Sequence, residues 1–212
     1  MTLNDLLQLK NGACVAVIGS GGKTAVVDEL ARENADAGVL IAPTTRIAVT
    51  QMTVKTARYL GRIEGEKLVS APLSEIESAS HEHGLTLMEA DGARNMMLKG
   101  WAAHEPVIPD FTTHTLCVLP ACALGMAADA AHVHRLRLFL ELTGLSEGDI
   151  IKEDTIALIA RSMMDKAVGE GALLINQADA FPEQAERIAN ALFGRGLRVI
   201  IGSAQQGDWR EE

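Results

Sequence analysis

The sequence predicts an α/β protein built on one doubly wound, mainly parallel sheet flanked by helices. Short β-rich apolar runs recur along the chain, and helical stretches fill the gaps between them. At 212 residues and 48% hydrophobic, the chain suits a single domain, 1–212, with a sizeable core.

The apolar runs are ACVAVIG (13–19), GVLIAPT (38–44), LTLMEAD (85–91), TLCVLP (115–120), ALLINQAD (172–179) and LRVIIGS (197–203). The opening run is apolar throughout and the others almost unbroken in apolar character, as strands covered on both faces are. Helices are predicted over 23–34, 133–142, 155–168 and 182–193. The last opens with Pro182 in its first turn and stops before Gly194. Such alternation makes a parallel sheet with crossover helices. Two stretches break the rhythm. Residues 56–70 (TARYLGRIEGEKLVS) turn at Glu64-Gly65-Glu66 and predict a hairpin insertion. Residues 94–110, rich in Pro, His and charge, predict a long functional loop.

Composition excludes several functions. A net charge of -9 argues against a nucleic-acid partner held by its phosphates. Residues 1–10 form a short amphipathic segment rather than a signal peptide. No run of about 18 apolar residues exists to span a membrane. Cys14, Cys117 and Cys122 are odd in number and lack C-x-x-C spacing, which fits neither a disulfide framework nor a thiolate zinc site. A cytoplasmic location is expected.

The chemistry gathers at strand ends. In AVIGSGGKT (16–24), Gly19, Gly21 and Gly22 free the backbone amides to close around phosphate oxygens, and Ser20 sits among them. The following helix begins near Lys23, so its unpaired amides and dipole favour the same anion. Lys23 is placed to reach the β- and γ-phosphates, and the Thr24 hydroxyl suits Mg²⁺. Val17 stands where the common phosphate-loop pattern has its first glycine, which eases a turn but makes few contacts. The sequence therefore predicts a P-loop NTPase-like domain.

The third run ends in Glu89-Ala90-Asp91-Gly92. Ionised groups are costly to bury unpaired, so Asp91 is expected to hold Mg²⁺ directly or through water, and Glu89 to orient an attacking water or a second substrate; a solvated strand-end turn is the alternative, and for Glu89 it fits equally. Lys23, Asp91 and Glu89 are thus the candidate catalytic residues, and Thr24 and Asp91 the candidate metal ligands. After the fifth run, Asn176-Gln177-Ala178-Asp179 resembles the N-K-x-D of GTP-binding proteins. There the Asp pairs with guanine and the Lys stem packs on the base; here Gln177 replaces the Lys. Asn and Asp are equally common turn formers, so a guanine contact and a plain turn both fit. Thr44, Thr45 and Arg46, after the second run, suit a phosphate or a second anionic ligand, and a plain turn with a surface Arg fits them equally. The pairs His81/His83 and His132/His134 lack a carboxylate or Cys at a familiar ligand spacing. His104, Glu105, His134 and Arg135 therefore read as substrate or γ-phosphate contacts. Met96-Met97 beside Trp101 reads as loop packing or an apolar partner surface.

In order, G-S-G-G-K-T, A-P-T-T-R, E-A-D-G-A-R, L-K-G-W-A-A-H-E-P-V-I-P, V-H-R and I-N-Q-A-D resemble the YqeC family, described as selenium-dependent hydroxylase accessory or selenium cofactor biosynthesis proteins. The resemblance runs from about Ala13 to Ser203. Its most specific parts are E-A-D-G, Lys99 and His104 to Pro109. Ala25, Arg46 and Ala93-Arg94 depart from it in single side chains. The resemblance implies a role in maturing selenium-containing molybdenum hydroxylases, with that hydroxylase or its cofactor-insertion machinery as partner. Joined to the phosphate loop, it predicts a Mg²⁺-dependent ATP- or GTP-binding protein, acting as a nucleoside-triphosphate hydrolase or phosphotransferase. Arg46, Lys99, His104 and Arg135 are candidates for a second ligand or a γ-phosphate sensor, and Arg94 for the second ligand. Two alternatives stand beside it. One is a small-molecule kinase acting on a cofactor precursor; the other is a nucleotide-gated adaptor or selenium carrier using the Cys122 thiol.

Overall fold

A computed structural model describes residues 1–212. The chain opens with α1 (Leu3–Leu7), whose cap is reciprocal: the Thr2 hydroxyl accepts from the Asp5 amide and the Asp5 carboxylate from the Thr2 amide. β1 (Ala13–Gly19) and α2 (Lys23–Glu33) follow, then β2 (Val39–Ile41), β3 (Ile47–Ala48), β4 (Arg58–Tyr59), β5 (Arg62–Glu64) and β6 (Lys67–Val69). Next come α3 (Leu73–Ser80), β7 (Leu85–Glu89), β8 (Leu98–Lys99), β9 (His114–Pro120), β10 (Val133–His134), α4 (Leu136–Thr143) and α5 (Glu153–Met164). The chain closes with β11 (Glu170–Asn176), α6 (Pro182–Leu192), β12 (Val199–Ser203) and β13 (Asp208–Glu211).

Eight strands form one sheet in the order β13-β12-β11-β9-β1-β7-β2-β4, parallel throughout except for β13. β1 is buried at all seven positions and lies between β7 and β9, with Val17 opposite both Glu89 and Leu116. Its side chains alternate between two cores, as the period of a strand requires. Ala13, Val15 and Val17 pack with Leu3 and Leu6 of α1 and Val26 and Leu30 of α2. Cys14, Ala16 and Ile18 pack on the other face with Ile76 of α3, Phe139 of α4, Ile159 of α5 and Ile188 of α6. The protein is therefore α/β, with a mainly parallel central sheet between helical layers.

Some elements differ from the sequence reading. The helix predicted over 133–142 is split, because Val133 and His134 pair with β8 and Arg135 adopts a left-handed backbone (φ 56°) before α4 begins. Within 56–70, β5 and β6 form a hairpin turning at Gly65 (φ 58°), and β3 joins them in a separate three-stranded sheet. Arg58 and Tyr59, however, belong to the main sheet, paired with β2. Neither α3 nor β13 was foreseen: β13 is four residues long and buries only Trp209. No helix is long and apolar enough to cross a membrane.

Candidate functional site

β1 delivers its carboxyl end to the middle of the sheet, where the chain turns from strands on one side to strands on the other. Such a switch point leaves a crevice beyond the strand ends. The turn leaving β1 is shaped by three glycines with positive φ: 99° at Gly19, 72° at Gly21 and 120° at Gly22. A Cβ at Gly19 would collide with the Val118 carbonyl, at Gly21 with the Pro120 ring, and at Gly22 with Asn176 Nδ2. Backbone conformation and packing thus both demand glycine. The turn is also tied from outside. Ser20 Oγ donates to the Met97 carbonyl (2.8 Å), and Asn176 Nδ2 donates to the Gly21 carbonyl (3.0 Å). Asn176 Oδ1 accepts from the Ala204 amide (3.0 Å), which links the turn to the end of β12. α2 starts immediately, and its N-terminus has no side-chain cap, so its first amides are free to meet an anion.

Charged groups cluster beneath this turn. Lys23 is 5% exposed; its Nζ donates to the Gly19 carbonyl (2.8 Å) and lies 3.3 Å from Asp91 Oδ1 and 3.8 Å from Glu89 Oε1. Asp91 has no exposed surface. It accepts from the Gly19 amide (3.1 Å to each oxygen) and from Trp101 Nε1 (2.9 Å), and Lys99 Nζ lies 3.2 Å from Oδ2. Lys99, also fully buried, donates to the Gly92 carbonyl (2.7 Å) and to Glu105 (3.2 Å), which in turn pairs with Arg135. Burial would raise the Glu105 carboxyl, but Lys99 and Arg135 outweigh it and hold the group below its ordinary range. A continuous ionic chain thus runs from the glycine turn, through 94–110, to the start of α4.

Glu89 meets that chain only through Lys23 and otherwise faces the cleft. Its Oε2 accepts from Thr24 Oγ1 (3.1 Å), and Gln51 Nε2 donates to the same hydroxyl (2.8 Å). Burial pushes the Glu89 carboxyl up, against the opposing pull of Lys23 and the Thr24 hydrogen bond. Lys23, Thr24 and Glu89 line a cleft of about 490 Å³, whereas Asp91 lies behind it. Nowhere do three or more His, Cys, Asp or Glu side chains gather as a metal cage. Mg²⁺ carried by a nucleotide needs no such cage, since phosphates and water supply most of its ligands. The oxygens that fit it are those of Thr24 and Glu89. Asp91, by contrast, is sealed from the cleft and surrounded by donors.

The remaining candidates divide. Arg46 and Arg94 line the cleft. Thr44 Oγ1 instead donates to the Val107 carbonyl (2.6 Å) and Thr45 Oγ1 to the Glu89 carbonyl (3.3 Å), bracing the turn after β2. His104 is exposed and outside the cleft, so of the His104-Glu105 pair only Glu105 joins the network. His134 lies opposite Lys99 in the β8–β10 pair, and burial, with Arg135, Lys99 and Arg94 nearby, lowers its pKa. Asn176 is the tie described above, and the exposed Asp179 borders a second cavity of about 230 Å³ with Ser203, Gln206 and Trp209. Cys122 is buried, and burial pushes its thiol up. Gln51, Lys67 and the indole of Trp101 were not singled out as site residues. Gln51 carries no motif signal, and Lys67 stood inside the predicted hairpin.

The family model described as YqeC protein matches residues 15–137, from within β1 to the first turn of α4. That span includes the glycine turn, Glu89, Asp91 and the ionic chain as far as Arg135. A protein of Escherichia coli (strain K12), described as "Uncharacterized protein YqeC", is 28% identical over 181 residues, covering 73% of this chain and 70% of its own. No solved structure matches the chain.

Proposed function

The chain belongs to the YqeC family, and on that footing we propose that it is a Mg²⁺-dependent nucleoside-triphosphate-binding protein with a P-loop NTPase-like fold. The observation that carries the reading is Lys23. A buried lysine, satisfied by one backbone carbonyl and two carboxylates at the uncapped start of a helix, is poised to exchange those partners for phosphate oxygens. The amides of Gly21 to Thr24 and the α2 dipole would hold the phosphates, and Lys23 would stabilise charge on the transferring phosphoryl group. Thr24 and Glu89 would hold Mg²⁺, which neutralises the β- and γ-phosphates when bound. Asp91 would orient the loop through the Gly19 amide.

The cavity at the ends of β11 and β12 supports guanine over adenine. A carboxylate accepts two parallel N–H bonds, and guanine offers adjacent donors at N1 and N2, whereas adenine offers an acceptor at N1. Asp179 supplies such a carboxylate there, and Asn176 fixes that end of the sheet to the glycine turn. Service to maturation of selenium-dependent molybdenum hydroxylases rests on family resemblance. A selenium carrier using Cys122 is less favoured, because a buried thiol with a raised pKa is a poor nucleophile.

The test is a melting-temperature series with Mg²⁺ plus GTP, ATP or CTP. A ligand at 100 times its Kd adds about 2.7 kcal/mol, or roughly 5–11 °C in a domain of this size. GTP should give the largest shift. No shift with any nucleotide at millimolar concentration overturns the reading.

A further inference from the structure

We infer that the wall of the cleft on the β7–β2 side is a second anion site, built to hold a small molecule bearing a phosphate or pyrophosphate group beside the nucleotide. The inference rests on the reading of the glycine turn as the nucleotide's phosphate site.

Charge distribution is the first support. The chain carries a net charge of -9, yet the cleft is lined by Lys23, Arg46, Lys67 and Arg94, against Glu89 as its single acidic side chain. Lys23 is matched by Glu89 and Asp91. Of the other three, Arg46 has only a long, exposed pair with Glu64 (4.0 Å), and Lys67 and Arg94 form no ion pair. Exposed cations in an acid-rich chain have partners to choose from. Two left open and a third only loosely paired around one concave surface make a local positive field that attracts anions.

The position of these cations is the second support. They come from three separate places: before β3, within β6, and after β7. In sheet order β7 and β2 lie on one side of β1, while β9, β11 and β12, which lead to the Asp179 cavity, lie on the other. A nucleotide with its phosphates on the glycine turn and its base towards Asp179 leaves Arg46, Lys67 and Arg94 beyond its terminal phosphate. A volume of about 490 Å³ falls within the range of ligand-sized clefts, ~300–1,000 Å³.

The wall is also held in place. Gln51 joins the small sheet to the phosphate turn, accepting from the Ala48 amide (2.7 Å) and donating to Thr24 Oγ1 (2.8 Å). After β7, Arg94 and Asn95 line the cleft and both have left-handed backbones, with φ of 51° and 62°. Two successive non-glycine residues in that region are costly and are typical of ligand clamps.

The test is calorimetry on the full chain saturated with Mg²⁺ and a non-hydrolysable GTP analogue, titrated with inorganic pyrophosphate. Pyrophosphate should bind the loaded protein, and Lys67→Glu and Arg94→Glu should each weaken it about tenfold or more. Lys67→Arg should retain it, and the analogue's affinity should stay within about threefold in all three variants. The inference is overturned if pyrophosphate fails to bind the loaded wild type, displaces the analogue, or ignores the charge reversals. If the analogue itself does not bind, the nucleotide reading fails. A pyrophosphate site lost in Lys67→Glu but kept in Lys23→Ala would still uphold the second site.

Discussion

Lys99→Met tests the ionic chain behind the cleft. Lys99 is fully buried between Asp91 and Glu105, 3.2 Å from each, and donates to the Gly92 carbonyl at 2.7 Å. Methionine keeps most of the volume but leaves two carboxylates short of a cation and one carbonyl short of a donor. Removing one partner of a buried ion pair costs about 3–5 kcal/mol, or roughly 6–20 °C in a domain of this size. The loss should also depend on pH. The folded Glu105 carboxyl is held below its ordinary value of 4.5, so its contribution is present above that value and fades as pH falls through the depressed folded pKa. Without Lys99 much of that contribution is gone at every pH. Denaturant titrations should therefore show the largest gap between wild type and Lys99→Met near neutral pH, narrowing below pH 4.5. A gap under about 1 kcal/mol at neutral pH, or one that does not change on acidification, would refute the coupling.

Three further perturbations probe the site itself. Burial raises the folded Glu89 carboxyl above 4.5, so its charged form is disfavoured in the fold and its cost is felt as pH rises through the folded pKa. Glu89→Gln should therefore raise the melting temperature of the ligand-free protein at neutral pH and abolish the Mg²⁺ dependence of nucleotide binding. An unchanged Mg²⁺ dependence in calorimetry would remove Glu89 from the metal site. Asp179→Asn exchanges an acceptor for a donor opposite the base, so affinity should move from GTP to XTP; equal loss or no change for both would place the base elsewhere. Gly22→Ala would push a Cβ into Asn176 Nδ2 at a φ of 120°. It should cost about 1–3 kcal/mol and loosen phosphate binding, as read by chemical denaturation and nucleotide titration.

The turn and the strands around it are legible because their signals are local. Gly19, Gly21, Gly22 and Lys23 stand within five consecutive residues, and the strand that feeds them is apolar along its whole length. The division of labour between Glu89 and Asp91 is not local. Two residues apart, they would share a face if the strand continued, but β7 ends at Glu89 and the chain turns, sending Asp91 inward to the Gly19 amide. Lys99, Trp101 and Glu105 read as loop residues because their partners lie in the turn after β7 and just before α4, a tertiary closure that no spacing rule encodes. His104 was expected beside Glu105, yet the turn of the chain exposes one and buries most of the other. Asn176 shows the reverse case. Its motif position drew attention, and the structure uses its amide to tie two turns together.

The central claim is that Lys23 exchanges the Gly19 carbonyl and its two carboxylates for a nucleotide's phosphates. Calorimetric titration of Mg²⁺·GTP into wild type and Lys23→Ala measures that directly. Wild type should bind saturably with one-to-one stoichiometry, and Lys23→Ala should lose that binding with the fold retained by circular dichroism. Equal affinity in the two proteins, or no binding by wild type, would contradict it.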